Sequence, residues 1–456
     1  MRSPEMVPES VERELSRLIP GWPEARLCIA LSGGVDSAVL LQACHGIRAR
    51  QPAVTLRAIH VAHGLQPAAA DWPAICAALC AGLDVPFESV ELRLSPKPGA
   101  SVEAAARDAR YAALQSRLAP GEALLTAHHQ DDQLETVLLQ LFRGAGLAGL
   151  AAMAASATLG HGLLLRPLLG VTRAEIDAYA RAAGIERIED PTNLSPRFDR
   201  GLLRREVTPR LRARWPAVAR TVSRTARHAA AAQRLLADLA AIDGADGIEQ
   251  DRLLVAHCLA LTRVRQANLL RWWLRACGLG MPSEARLNSI LDDLLPARAG
   301  AQPVVTWPTG EVRRHRGWLH AMQPLGPVVR KAWTLAVGET IEAEGVGSIA
   351  LVAGTGCGFS ALRYPGPFEL RVRRGGERLL PAGQRADKSV TRLLREAGTE
   401  PWLRDRVPLI YCRDLLLAVG EQWVAATAAA DASEPGLAVR WTRGIRHNPG
   451  FPEPEM

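Results

Sequence analysis

The sequence predicts an α/β fold: a doubly wound parallel sheet forms a nucleotide-binding domain, and a helical middle domain and a small α+β C-terminal domain follow it. Three observations support this prediction. Strand-length apolar runs alternate with helix-length runs in the first part of the chain. Polar clusters stand where predicted strands end, which is the edge at which such sheets bind ligands. From about Leu203 onward, the alternation gives way to long helical stretches rich in Arg and Ala.

The predicted strands and helices follow one another as successive βα units. The strand-like run "ARLCIAL" precedes a glycine loop, and the helix-like run "SAVLLQACHGIRAR" follows it. The alternation continues through "TLRAIHVAH", "DWPAICAALCAGL", "FESVELRL", "SVEAAARDARYAALQSRL", "EALLTAHH" and "DDQLETVLLQLF". Because each helix returns the chain to the start of the next strand, the strands are predicted to be parallel.

The remainder of the chain divides into further regions. A helix is predicted to end near Gly244, and a helical region from Ile248 to Pro296 precedes the hairpin-like "TWPTGEVRRHRGWLHAMQP". A third region contains the strand-like "FELRVRRGGERLL", the helix "KSVTRLLREAG" and the strand-like "RVPLIYCRDLLLAVGEQWV". The predicted boundaries are 1–210 for the nucleotide-binding domain, 211–244 for a connecting helix, 245–330 for the helical domain, 331–367 for a linker, 368–445 for the C-terminal domain and 446–456 for a mobile tail.

Length and amino-acid composition limit the classes of protein to which the chain can belong. The chain of 456 residues is long enough for two or three domains. It has eight cysteines, no signal segment and no apolar run long enough for a membrane, so we expect a cytoplasmic protein with free thiols. Cys76 and Cys80 lack a second pair that would complete a zinc site, which favours buried helix thiols. The net charge of +8 comes almost entirely from Arg, which suits phosphate partners.

The glycine loop "SGGVDS" indicates an anion site. Its glycines let the backbone approach a ligand, its serines offer hydroxyl groups, and the helix that follows directs amides and its positive dipole end at the same space. It lacks the lysine of a Walker loop. A carboxylate facing phosphate requires a bridging cation, so Asp36 predicts Mg²⁺ and a nucleotide polyphosphate, unless Asp36 only caps the helix. The loop residues predicted to bind ATP are Ser32, Gly33, Gly34, Val35, Asp36 and Ser37.

A second cluster, "HHQDDQLET", concentrates acids where another strand ends. If Asp131 begins a helix, then Asp132 and Glu135 share a face with it, and the crowded carboxylates predict a cation between them. His128 and His129 are candidate zinc ligands, but hard oxygen ligands dominate the cluster, so Mg²⁺ is favoured. Asp36, Asp132 and Glu135 are therefore the predicted metal ligands and catalytic carboxylates.

The helix between these clusters places Glu103, Arg107 and Tyr111 four residues apart on one face. One interpretation is an exposed ion pair beside a half-buried tyrosine. The other, which we favour, is that Arg107 is catalytic and meets a phosphate or carboxylate at the reaction centre.

Taken together, the motifs resemble those of the tRNA(Ile)-lysidine synthetase family, which belongs to the PP-loop ATP pyrophosphatases. The matching stretches are "SGGVDS", "EAAARDARY", "HHQDDQLET", "RPLL" (166–169) and "DPTN" (190–193), and similarity to the family's middle and C-terminal domains extends it over almost the whole chain. The resemblance implies an adenine nucleotide alpha hydrolase-like fold. It also implies ATP and Mg²⁺ as cofactors, and L-lysine and a CAU-anticodon isoleucine tRNA as partners; a homodimer is compatible with the sequence.

The implied reaction is adenylation of C2 of the wobble cytidine with release of pyrophosphate, followed by displacement of AMP by the ε-amine of lysine. The product decodes AUA in place of AUG. The resemblance also assigns His63 to ATP, and Arg200 and Arg204 to tRNA. Two departures from the family pattern are Ala62, where an Asp is frequent, and Gly201, where an Asn is common.

Three alternatives remain open at this point. A tRNA thiolase with this loop would need a reactive cysteine pair or an iron–sulfur cluster, and Cys76 and Cys80 are predicted to lie well away from the strand ends. An amidating synthetase would need a glutaminase partner or domain, and none is visible. An RNA-binding protein with a vestigial nucleotide fold is disfavoured by two intact acidic motifs.

The C-terminal region is predicted to bind tRNA through arginines. In "FELRVRR", Phe368, Leu370 and Val372 alternate with basic residues, so a strand would bury one set and expose the other. Solvation of an Arg-rich surface is the alternative. The predicted tRNA-binding residues of this region are Arg371, Arg373, Arg374, Arg378, Arg392 and Arg395.

Overall fold

A computed structural model describes residues 6–62, 71–92, 102–185, 199–249, 251–298 and 300–443. The chain forms two compact units, Met1–Leu235 and Leu236–Met456. The helices are α1 Met6–Leu18, α2 Val35–Arg50, α3 Trp72–Gly82, α4 Val102–Arg117, α5 Gln130–Phe142, α6 Leu147–Leu150, α7 Arg173–Ala182, α8 Asp199–Leu202, α9 Thr208–Arg214, α10 Val218–Gly244, α11 Val255–Leu259, α12 Arg263–Ala276, α13 Glu284–Ser289 and α14 Val390–Glu396. π-Helical turns continue α8 at Leu203–Val207 and α13 at Ile290–Leu294.

The strands fall in both units. They are β1 Arg26–Ala30, β2 Thr55–Ala62, β3 Phe87–Glu91, β4 Glu122–Leu125, β5 Ser156–Leu159, β6 Gly162–Leu165, β7 Ile248–Glu249, β8 Arg252–Leu254, β9 Val304–Trp307, β10 Gly310–His315, β11 Trp318–Met322, β12 Ala332–Leu335, β13 Thr340–Ala343, β14 Gly347–Thr355, β15 Phe359–Ser360, β16 Phe368–Val372, β17 Arg378–Leu379, β18 Lys388–Ser389, β19 Pro408–Cys412, β20 Leu415–Val419, β21 Trp423–Val424 and β22 Pro435–Arg443.

The first unit is built on one sheet whose strand order among the described residues is β3-β2-β1-β4-β6-β5. All neighbours pair in parallel except β5, which is antiparallel to β6. The predicted doubly wound parallel sheet is thereby confirmed. The order reverses between β1 and β4, which creates a crevice at their carboxyl ends.

Apolar strand and helix faces account for this arrangement. Leu27 and Ile29 of β1 and Val39 and Leu40 of α2 are buried in the main core of the unit. Cys28 points to the other face of the sheet, where it packs in a second cluster. Both faces of β1 are therefore covered, as a parallel strand with helices on each side requires.

The second unit is rich in strands. Its described sheets have the orders β7-β8-β11-β10-β9, β12-β16-β19-β20-β21 and β13-β14-β22-β15, with a short β17-β18 pair. One core lies among α12, α13 and the first of these sheets, and a larger core lies between the other two. The predicted alternation in β16 is confirmed, since Phe368, Leu370 and Val372 are at most 3% exposed.

Some local predictions differ from the structure. The run predicted as a hairpin contains three strands, β9 to β11, and residues 331–367, assigned to a linker, contain β12 to β15. β9, β12, β13 and β15 are only two to four residues long, so too few residues alternate for the strand pattern to be clear in the sequence. All eight cysteines are free thiols, as expected. Within the described ranges, no helix is both long and apolar enough to cross a lipid bilayer.

Candidate active site

The glycine loop joins the carboxyl end of β1 to α2. Gly33 has a φ of +88°, a conformation that a side chain would strain. The Ser37 hydroxyl donates to the Gly34 carbonyl at 2.9 Å and accepts from the Ser32 amide at 3.2 Å, and its oxygen lies 3.1 Å from the Ser32 hydroxyl oxygen. Ser37 is 3% exposed, so its hydroxyl holds the loop in shape.

Asp36 lies in the first turn of α2 but does not cap it. The N-cap is Gly34, which makes no side-chain capping bond. Both carboxylate oxygens of Asp36 instead accept from one terminal nitrogen of Arg173, at 2.9 Å each. The alternative that Asp36 only caps the helix is therefore not what the structure contains.

The acidic helix α5 begins at the carboxyl end of β4, beside β1. Its N-cap is His129, whose Nδ1 accepts from the Asp131 amide at 3.2 Å, while the His129 amide donates to Asp132 Oδ2 at 2.9 Å. Because Nδ1 is an acceptor, the neutral ring carries its proton on Nε2. These bonds fix the imidazole and the first carboxylates of the helix.

The two motifs meet at this imidazole. His129 Nε2 lies 3.7 Å from Asp36 Oδ2 and 3.5 Å from Asp132 Oδ2. The loop after β1 and the helix after β4 therefore direct carboxylates toward one point. Their position at one edge of the sheet was predicted, and the pairing of β1 with β4 makes them neighbours.

Three arginines surround the carboxylates. Arg204 donates to Asp132 at 2.8 Å and to Glu135 at 2.6 Å, from the π-helical turn after α8. Arg212 of α9 pairs with Asp131, whose second oxygen accepts from the Arg173 amide at 2.7 Å. Each acid of the cluster thus has a cationic neighbour.

Burial raises the pKa of Asp36 more than His129 and Arg173 lower it. Burial likewise raises the pKa of Glu135, against the opposing effect of Arg204. For Asp132, burial also favours a higher pKa, but His129 and Arg204 outweigh it and the pKa falls. Within the described residues, Glu135 Oε2 is buried and has no hydrogen-bond partner. Carboxylates of shifted pKa in a crevice are typical of functional sites.

A basic group lies beside this cluster. The Arg107 guanidinium lies 5.3 Å from the Tyr111 ring centre. Burial, together with the charges of Arg166, Arg107 and Arg200, lowers the pKa of His128 to about 4 against the opposing effect of Asp132. Arg107 is therefore near the site and stacked on a tyrosine; the side chain of Glu103, its predicted partner, is outside the described residues.

Other predicted residues have different surroundings. Arg200 lies 3.4 Å from Thr136 on α5. His63 and the stretch 190–193 lie outside the described residues. Of the C-terminal arginines, Arg371, Arg373, Arg378 and Arg392 pair with Glu369, Asp405, Asp387 and Glu396 respectively. Arg374 and Arg395 are exposed, and no carboxylate of the described residues pairs with them.

The prediction that Cys76 lies far from the strand ends is wrong. A Cβ at Gly33 would lie 3.6 Å from Cys76 Sγ, so this thiol packs beneath the loop. Burial raises the pKa of Cys76 to about 12 and that of Cys80 to about 11. Neither sulfur is a reactive thiolate at neutral pH.

Sequence reasoning missed Arg173 and Arg212. Thr172 and Glu175 form a capping box that marks the start of α7. A cation in the first turn opposes the helix dipole, and this was the available signal that Arg173 has another role. Arg212 had no comparable signal, because it stands in a segment full of arginines.

The carboxylates are a partial fit to Mg²⁺. The described residues contain no group of three or more His, Cys, Asp or Glu side chains that could hold a metal ion. Asp36 and Asp132 nevertheless approach the same point with oxygen ligands, and Mg²⁺ is commonly bound by one or two carboxylates together with phosphate oxygens and water. Arg204 donates to both Asp132 and Glu135, and the predicted role of Glu135 as a third metal ligand stays a prediction.

Comparison with known proteins defines the class. Residues 7–211 match the model of a PP-loop domain, an ATP-binding family. Residues 253–320 match the TilS substrate binding domain, and residues 368–441 match the TilS substrate C-terminal domain. The chain is thus a ligase-type enzyme built on a PP-loop ATP pyrophosphatase domain.

Full-length relatives define the family. The tRNA(Ile)-lysidine synthase of Coxiella burnetii is 40% identical over 88% of this chain and 92% of its own. The enzyme of the same name from Methylococcus capsulatus is 41% identical over 92% and 97%, and that from Pseudomonas aeruginosa is 43% identical over 90% and 92%. The chain belongs to the tRNA(Ile)-lysidine synthase family.

Proposed function

We propose that this enzyme attaches free L-lysine to C2 of the wobble cytidine in the CAU-anticodon isoleucine tRNA, in the cytoplasm, and so changes its decoding from AUG to AUA. The observation that supports this most directly is the approach of Asp36 and Asp132 to His129 Nε2, beside the loop amides. A polyphosphate, a cation and a nucleophile are all needed at one place, and this crevice offers each a partner.

The glycine loop and α2 hold the phosphates of ATP. The N-terminus of α2 lies at the crevice and favours negative charge there. Asp36 and Asp132 are the residues that would hold Mg²⁺, which neutralises charge on the departing pyrophosphate when bound. Arg173 must release Asp36 for this, and its guanidinium is then free to contact a phosphate.

The proposed reaction has two steps, adenylation of the cytidine and displacement of AMP by lysine. The cytidine O2 forms a bond to the α-phosphorus, and the bond to pyrophosphate breaks. The ε-amine of lysine then bonds to C2, the C2–O bond breaks, AMP leaves, and the amine loses a proton. Glu135 is suited to bind that ammonium group and accept its proton, because its Oε2 is buried without a partner and burial raises its pKa.

The partner surface includes residues outside the cleft. Arg107 and Arg200 lie beside His128, where they suit an anionic group of the tRNA or of lysine. Arg374 and Arg395 are the predicted C-terminal arginines that we retain for tRNA contact, since the other four are paired with acids. Elongator methionine tRNA has the same anticodon, so selection requires contacts remote from the modified base.

The test is pyrophosphate exchange into ATP with purified isoleucine tRNA transcript. Exchange should require the tRNA, and lysine should convert the tRNA to a product one lysine heavier with release of AMP. Elongator methionine tRNA should be a poor substrate. Exchange that needs no tRNA, or product that contains sulfur or ammonia-derived nitrogen, would contradict the proposal in favour of the thiolase or amidating alternatives.

A further inference from the structure

Four arginines follow one another along one side of helix α10. We refer to Arg220, Arg224, Arg227 and Arg234 as the arginine row. All four are exposed. At about 100° and 1.5 Å per residue, they fall within an arc of roughly 80° and extend over about 21 Å. They therefore form one continuous basic strip.

The arginine row is not neutralised. Within the described part of the chain, no carboxylate makes an ion pair with any of its members. Residues 207–237 contain seven arginines and no aspartate or glutamate. Seven charges in this segment nearly equal the surplus of +8 of the whole chain. The excess positive charge is concentrated here.

Three arginines of the C-terminal domain form ion pairs, unlike the arginine row. Arg371, Arg378 and Arg392 of the C-terminal domain each pair with a carboxylate at 2.5 to 2.7 Å. Such pairs are ordinary surface features and leave little net field. The row differs from these pairs because four exposed arginines without a described acidic partner lie on one face of a single helix, whereas the unpaired C-terminal arginines Arg374 and Arg395 stand apart from each other in sequence.

The arginine row begins close to the active site. Helix α9, just before α10, contacts the acidic helix α5 through the ion pair of Arg212 with Asp131. Between them, the exposed Trp215 carries the Arg214 guanidinium 5.5 Å from its ring centre. Row and cleft both belong to the first unit. A polyanion whose reacting nucleotide enters the cleft would have its neighbouring phosphates near the row.

We propose that the arginine row binds the phosphate backbone of the tRNA next to the reacting nucleotide. This rests on the proposed function, because it names the surface that holds that substrate. A row of exposed guanidinium groups without acids suits a polyphosphate chain. A lipid surface is disfavoured, because a membrane-lying helix needs a continuous exposed apolar face, and the large apolar side chains that the fully described helix α10 exposes are only Leu235 and Ile242, at 69% and 71%.

The experiment compares two triple variants of the full chain. In the first, Arg220, Arg224 and Arg227 are each replaced by Gln, which preserves helix propensity. In the matched control, Arg371, Arg378 and Arg392 are replaced by Gln, so the charge change is equal. The Kd for isoleucine tRNA transcript is measured between 50 and 300 mM KCl. Tryptophan-monitored unfolding and tRNA-independent ATP binding verify the fold.

The row variant should bind at least about tenfold more weakly at low salt, and its slope of log Kd against log salt should fall by about two to three units. The control should change both by much less. If the triple variant unfolds, the single Arg224→Gln change should still reduce the slope by about one unit, and Arg224→Lys should restore it.

Several results would overturn the inference. A parental salt slope in the row variant would show that the arginines are only solvated. Unchanged tRNA binding with loss of binding to phosphatidylglycerol vesicles would assign the row to lipid. Failure of the parent to bind any tRNA would overturn both this inference and the proposed function, whereas lysine transfer by the parent with an unaltered slope in the variant overturns the inference alone.

Discussion

The first sheet carries an arginine–carboxylate cluster at each end, and the two are built differently. At the amino end, Arg57 donates to both oxygens of Glu122 at 2.6 Å, and the Ala119 amide donates to the same carboxylate at 3.0 Å. At the carboxyl end, Asp36 shares one arginine nitrogen between its two oxygens. Glu135 there uses one oxygen and leaves the other buried without a described partner.

The pKa shifts differ in the same way. Burial favours a higher pKa for Glu122, but the hydrogen bonds from Arg57 and Ala119 outweigh it, so the pKa falls. For Asp36 and Glu135 burial prevails and the pKa rises. Both oxygens of Glu122 have partners, whereas Glu135 at the carboxyl end leaves Oε2 without one among the described residues; Asp132, whose pKa falls, is the exception at that end. The unsatisfied oxygen of Glu135 and the raised pKa values of Asp36 and Glu135 agree with the ligand site proposed at this end.

The largest effect should follow from removing the carboxylate nearest the loop. Asp36→Ala should lower tRNA-dependent pyrophosphate exchange at least about 100-fold, since it removes charge placed at the departing group. The Kd for tRNA should change less than about twofold, because the arginine row is a separate surface. Exchange at the parental rate would remove the basis for the assigned site.

Arg204→Ala should damage both stability and turnover. It leaves Asp132 and Glu135, whose side chains are 10% and 4% exposed, without their shared cation. We expect a loss of about 3 kcal/mol in the free energy of unfolding and at least a tenfold loss of turnover per folded molecule. Urea unfolding and active-site-normalised rates measure these two quantities. Normal turnover would mean that the cluster at the carboxyl end is only structural.

Arg57→Ala is the matched change at the other end of the sheet. It should cost about 2–3 kcal/mol of unfolding free energy, because Glu122 stays buried and loses its bidentate partner. Turnover per folded molecule should stay within about twofold of the parent, since this pair lies at the edge away from the crevice. A large loss of turnover would contradict the division between the two ends.

The contributions of Asp36 and Glu122 to the free energy of unfolding should change with pH in opposite directions. Asp36 binds its proton more tightly when folded, so its ionisation destabilises the fold as pH rises through its raised pKa. Asp36→Asn should therefore gain stability relative to the parent at pH 7, and the gain should shrink toward pH 4. The pKa of Glu122 is lowered in the fold, so its ionised form stabilises the protein at pH values above its ordinary pKa. Glu122→Gln should therefore be less stable than the parent at pH 7, and this difference should disappear only as the pH falls through the lowered pKa. Thermal melts at each pH measure the stability of both variants relative to the parent. Stability differences of the same sign at pH 7 would contradict the contrast between Asp36 and Glu122.

The smallest effect is expected for an exposed pair. Arg378 and Asp387 have side chains that are 59% and 48% exposed. Arg378→Gln should change the free energy of unfolding by no more than about 0.5 kcal/mol and should leave turnover unaltered. A change as large as that of Arg57→Ala would show that burial is not what separates these ion pairs.

The sequence alone determined those features of the fold and of the candidate site that depend on local chemistry. The glycine loop, the acidic helix start and the alternating burial of β16 follow from residue type and spacing, because backbone conformation and strand period act over a few residues. The position of Asp36 and Asp132 at one edge of the sheet also followed, since parallel strands place their carboxyl ends together, whereas the pairing of β1 with β4 was seen only in the structure.

The choice of partners was decided only by the tertiary structure. Arg173 reaches Asp36 across 137 positions of sequence, and Arg204 reaches Asp132 across 72. The place of Arg173 in the first turn of α7 indicates another role but not which acid it meets, and Arg204 stands among many arginines with no local signal. The sequence likewise does not separate the unpaired row on α10 from the paired arginines of the C-terminal domain. An ion pair forms where the folded backbone brings two charges within a few ångströms and excludes water from them, and that distance is a property of the packed chain.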